Sequence, residues 1–158
     1  MRRTGRGYTL IELLVVLAVL GLLAGLAMPL AEMTVQREKE RELKRALWEI
    51  RDAIDAYRRA REQGAIPATA GSSPYPPALD ALVQAAPDAR ADHRGEALRF
   101  LRRVPRDPFA DPALPPERSW GLRSYLAEAD HPQPGADVYD VYSTSTQVGL
   151  NGVPLKDW

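Results

Sequence analysis

Glu12 invites a chemical reading first. It stands at the edge of an apolar run, residues 13–31, that holds no charge over 19 positions. An ionised carboxylate in lipid costs roughly 2.5–3.5 kcal/mol at a helix centre and less near the interface. Glu12 therefore either lies at headgroup depth, near the positive end of the helix dipole, or meets a cation from outside its own helix. A second set of reactive types lies near the C-terminus, where His131 neighbours Asp130 and Asp137. Such a trio suits a metal or acid–base site, but two acids and a histidine in a loop often coincide by chance. His93 and His131 are accordingly read as surface residues. Cysteine is absent, which removes disulfides, thiol nucleophiles and thiolate ligands. No H-E-x-x-H, G-x-S-x-G or P-loop occurs, so no enzyme motif is in view. An anchored enzyme remains the weaker class, and it would keep its activity after exchange of its helix for an unrelated one.

The elements that must position these groups follow from composition. Lys+Arg and Asp+Glu balance at 21 each, which removes the basic excess typical of nucleic-acid binding. Of the 14 prolines only Pro29 precedes Gly64, so a helical N-terminal part gives way to a proline-rich remainder. A helix over 13–31 would span roughly 28 Å, close to the hydrocarbon thickness of a bilayer. A secretory signal peptide would have a shorter run and a small-residue cleavage site. Arg2, Arg3 and Arg6 precede the run with no acid among them, whereas residues 32–45 mix both signs. The positive-inside rule then places the N-terminus in the cytoplasm and the bulk of the chain outside.

Beyond the run, Leu43, Leu47, Ile50, Ile54 and Tyr57 recur at helical spacing, with charged residues between them. One helix is expected over 9–63, bent at Pro29 and stopped at Gly64. Its apolar stripe is too short for a coiled coil and is expected to pack on the chain's own C-terminal domain. Helices are expected at 78–85 and 96–103, and irregular chain at 104–116. Strands are expected at 119–126 and 137–143, and a third short one near 152–155. In the second strand Val138, Asp140 and Tyr142 would share one side, with Tyr139 and Val141 on the other. A small antiparallel sheet on the helical stripe makes the fold class α+β.

Gly7-Tyr8-Thr9-Leu10-Ile11-Glu12 ahead of the apolar run resembles the prepilin signal of type IV pilins and type II secretion pseudopilins. In that family a membrane peptidase cuts after the glycine and methylates the new N-terminal amine. The resemblance implies cleavage between Gly7 and Tyr8, N-methylation of Tyr8 and a helix proline at Pro29. Tyr8 departs from the usual Phe. Glu12 matches the family's acid, and a neighbouring subunit's amine could pair with it and set axial register, a role attested for buried ion pairs. The implied divisions are a leader at 1–7, a transmembrane and filament-core helix at 8–31, its amphipathic continuation at 32–63 and a globular head at 64–158. Loss of the leader removes three arginines and leaves 18 bases against 21 acids.

The head resembles the major pseudopilin of type II secretion through Tyr75-Pro76, Leu79-Asp80-Ala81-Leu82-Val83, Val104-Pro105-Arg106-Asp107-Pro108-Phe109, Tyr139-Asp140-Val141-Tyr142-Ser143 and Trp158. What this implies is a non-enzymatic filament subunit of the inner membrane and periplasm. Its partners would be copies of itself, other pseudopilins, the prepilin peptidase and an assembly platform. Type IV pilus or competence pilins and minor pseudopilins stay open as alternatives. Many true pilins close a C-terminal disulfide loop, which this chain cannot. Major pseudopilins often hold calcium in the loop after the final strand pair. Here that loop, STSTQVGLNGVPLKDW, has no acid before Asp157. Calcium prefers several oxygens including carboxylates, so no metal or other cofactor is expected.

Overall fold

The computed structural model describes residues 7–68, 71–93 and 95–158, with the side chains of 25–31 and 91 outside that description. The chain forms two compact units, Met1–Glu38 and Lys39–Trp158. A single helix, α1 (Leu10–Glu62), supplies residues to both.

From Leu13 to Ala24 α1 is apolar on every side. Its large aliphatic residues from Leu10 to Leu23 are 49–78% exposed. Among the described residues no helix is long and apolar enough to cross a membrane. The expected span 13–31 is described only as far as residue 24 in its side chains, which is about 18 Å of helix. Helix α1 continues through Pro29, and the bend expected there falls in the stretch whose side chains lie outside the description.

In the second unit α1 becomes one-sided. Leu43, Leu47, Ile50, Ile54 and Tyr57 are all buried, as their spacing requires. Each buried aliphatic side chain contributes roughly 1.5–3 kcal/mol. Gly64 then ends the helix at a positive φ of 73°. The Gly64 N–H donates to Arg61 O and the Ala65 N–H to Ala60 O, the paired bonds of a Schellman stop. Arg61 ties the chain that follows to the helix end by donating to Pro67 O, Ser72 Oγ and Ser73 O.

The rest of the head lays short elements over the stripe. Helix α2 is one turn, Asp80–Val83, within the expected 78–85. Strands β1 (Ala86–Pro87) and β2 (Ala97–Leu98) pair antiparallel, as do β3 (Trp120–Arg123) and β4 (Asp140–Ser143). Among the described residues there are thus two separate two-stranded ladders in place of one sheet. The core joins the stripe to Leu79, Leu82, Leu101, Val104, Trp120, Val138, Val141 and Leu155. Gly121 in β3 leaves room for the Tyr142 ring, since a Cβ there would lie 2.4 Å from it and the ring would have to move.

Three expectations fail for physical reasons. Residues 96–103 are not a helix. The N–H groups of Phe100 and Leu101 both donate to Leu82 O, so α2's open end takes the amides that a helix would need. No third strand forms at 152–155. Val148 and Pro154 make one bridge, and Leu155–Asp157 is a 3₁₀ turn. Finally, the alternation over 137–143 breaks, since Val138 and Val141 are both buried. The ladder begins only at Asp140, so Val138 is not bound by the strand's two-residue period.

Candidate functional site

Gly7, Tyr8 and Thr9 precede the first helical residue and are not helical. Tyr8 is 77% exposed. Thr9 is the residue before α1, and its hydroxyl accepts from the Glu12 N–H at 3.3 Å. The Thr9 N–H in turn donates to Glu12 Oε2 at 3.5 Å. This reciprocal pair is a capping box, which satisfies donors that an α-helix start leaves unpaired. Glu12 therefore has a local task within its own chain, at the helix end where the dipole favours an anion. The T-x-x-E spacing ahead of an apolar run is the signal that could have revealed it. The structure thus brings Gly7, Tyr8 and Glu12 to one helix entrance, whereas Pro29 lies further along α1.

The His131 trio does not assemble into a site. Asp130 and His131 are exposed, whereas Asp137 is buried. Asp137 accepts from Ser124 Oγ at 2.6 Å and from the Tyr125 N–H at 3.0 Å. Ser73 Oγ also donates to it. Burial pushes this carboxyl up, but those three donors outweigh burial and hold it below the usual carboxylate range. Asp137 is a clamp joining the loop after α1 to the chain ahead of β4.

Asp88, His93 and Glu96 do place three potential ligand atoms within 4.8 Å of one another. His93 Nδ1 lies 3.1 Å from Glu96 Oε2. Both Asp88 oxygens, however, engage the Arg90 guanidinium, with Nη2 at 2.5 Å from Oδ2. The hydrogen bond from Arg90 lowers the Asp88 pKa to about 2. A cation there would have to displace a bidentate partner. Sequence reasoning left this group unrecognised because it treated His93 singly.

Asp107 is the other unrecognised residue. It is fully buried and accepts from Ser143 Oγ at 2.6 Å and from the Phe109 N–H at 2.8 Å. Its own N–H donates to Ser119 Oγ, and Trp120 Nε1 donates to Pro105 O nearby. One carboxylate thereby fastens the proline-rich chain to β4.

The helix entrance is capped and exposed, and in the head the buried acids Asp88, Asp107 and Asp137 are each held by donors of the chain. Residues 2–28 match the prokaryotic N-terminal methylation motif. With an α+β head beyond this motif, the chain is consistent with a pilin-like fold. Over 114 residues it is 29% identical to the type II secretion system core protein G of Aeromonas hydrophila, covering 70% of this chain and 72% of that protein. No solved structure gives a significant match. The resemblance to pilin-like proteins, and to the major pseudopilin of type II secretion in particular, is borne out by these two matches.

Proposed function

We propose that this chain is a structural subunit of a type II secretion pseudopilus. The observation that carries the reading is the first stretch of α1, whose large aliphatic residues stand exposed around the whole helix from Leu10 to Leu23. Apolar surface of that extent needs lipid or neighbouring helices around it. The precursor would sit in the inner membrane, with Arg2, Arg3 and Arg6 in the cytoplasm and the head in the periplasm. Prepilin peptidase would remove residues 1–7 and methylate Tyr8. The apolar helices would then bundle with copies of the chain and with other pseudopilins on an assembly platform, and filament growth would drive export of folded substrates. The chain would perform no chemical step itself.

Within such a bundle Glu12 would take the methylated amine of a neighbour's Tyr8. Pairing offsets desolvation that each charge would otherwise bear alone. Mass spectrometry of the membrane-extracted protein is expected to find N-methyl-Tyr8 as the first residue, and an intact Met1 would overturn the proposal. Glu12→Ala is expected to abolish filament incorporation, while unchanged incorporation would reject the pairing. Because Glu12 also caps α1, Glu12→Gln is the companion variant, since it can keep the box and lacks the charge.

A further inference from the structure

The resemblance to major pseudopilins implies a calcium ion in the loop at 143–158, and the residues there do not fit one. Calcium takes six to eight oxygens, carboxylates among them. The loop's acid, Asp157, lies in the 3₁₀ turn at its far end, next to Lys156. Several of the oxygens that could stand in for carboxylates are engaged by the loop's own amides. The Ser145 N–H donates to Ser143 Oγ, and that hydroxyl itself donates to Asp107. The Gln147 N–H donates to Ser145 Oγ and the Val153 N–H to Asn151 Oδ1. Leu155, Gly149 and Gly152 donate to the carbonyls of Gln147, Val153 and Gly149 respectively.

We propose that α1 holds this loop in place of a cation, with Glu40 as the positioning carboxylate. Glu40 is only 9% exposed, and its Oε1 accepts from the Leu150 N–H at 2.8 Å. A turn later Lys44 Nζ sits 4.4 Å above the Trp158 ring. Further along, Arg51 Nη2 donates to Trp158 O at 2.9 Å and to Val141 O at 3.1 Å. Residues 40, 44, 47 and 51 lie along one side of a helix, so a single face of α1 reaches both the middle and the end of the loop. The loop closes on itself as well, because a Cβ on Gly149 would lie 2.4 Å from the Trp158 indole. A carboxylate that bonds an amide supplies the anchoring that a cation would give, without a soluble partner.

Hydrogen exchange on the full chain in detergent micelles tests this by following peptides from 144–158. Exchange there is expected to agree within about twofold between excess chelator and millimolar calcium chloride. Glu40→Ala is expected to speed it about tenfold, with peptides from β3 unchanged. Protection by calcium of tenfold or more in the wild-type chain would overturn the proposal, as would unaltered loop exchange in Glu40→Ala. The wild-type comparison needs no variant, so it tests the absence of calcium on its own, and Glu40→Gln, which keeps the side chain's size and an acceptor oxygen, is expected to speed loop exchange less than Glu40→Ala. Neither arm depends on filament assembly, which keeps this result separate from the functional proposal.

Discussion

Between Leu10 and Leu23 the large aliphatic side chains of α1 are 49–78% exposed, whereas Leu43, Leu47, Ile50 and Ile54 on the same helix are at most 2% exposed. The two stretches draw on the same residue types. They differ in arrangement: the first places apolar groups around the whole wheel, the second along one stripe with Arg, Lys, Glu and Asp between. A stripe can be satisfied by one neighbouring surface, and here the head provides it. A fully apolar wheel needs surroundings on all sides, which is why the first stretch points to lipid and other helices.

Matched substitutions should break this comparison most visibly. Ile50→Asp buries an unpaired charge and is expected to unfold the head, at a cost above about 4 kcal/mol. Leu17→Asp is expected to leave the head's melting within about 0.5 kcal/mol of wild type while weakening membrane retention, since a midspan acid costs roughly 2.5–3.5 kcal/mol. Thermal melts followed by intrinsic tryptophan fluorescence, alongside membrane fractionation, read both effects. Equal melting losses in the two variants would erase the distinction between the stretches.

Next in size is Asp107→Ala, which strands the Ser143 hydroxyl and the Phe109 amide. It is expected to cost about 3 kcal/mol in a urea titration of the head. A loss below about 1 kcal/mol would mean that the stripe alone holds the proline-rich chain.

The smallest effect concerns Asp88, whose ordinary carboxyl value of 3.8 falls to about 2 beside Arg90. A depressed folded pKa means that the fold favours the ionised form. Its contribution is present above about pH 4 and is lost as pH falls through about 2. Arg90→Met should therefore flatten the decline in melting temperature over that window. Identical slopes for the two proteins would remove the ion pair from the stability account.

The sequence disclosed features whose cause is local and missed those whose cause is remote. The stripe from Leu43 to Tyr57 follows from helical spacing, and the stop at Gly64 from its tolerance of positive φ. The N-terminal signal is likewise contiguous, although the T-x-x-E box within it was read for charge and not for capping. EALRFLRR reads as a helix in isolation, because nothing in those eight residues reports that Leu82 O takes two of their amides. The roles of Asp107 and Asp137 depend on partners brought in from elsewhere in the chain. Glu40 meets Leu150 across 110 positions, a contact that no periodicity encodes.

The capping box has a consequence for the cleavage proposed after Gly7. The first helical hydrogen bond runs from the Leu13 N–H to Thr9 O, and the bond between Gly7 and Tyr8 lies outside it in non-helical chain. Gly7, the described residue on the far side of that bond, takes part in neither the helix nor the hydrogen bonds of its capping box. Precursor and product would therefore share the same helix, with its first turn already set. Processing could then alter the charge and the end group of the subunit without asking its backbone to refold.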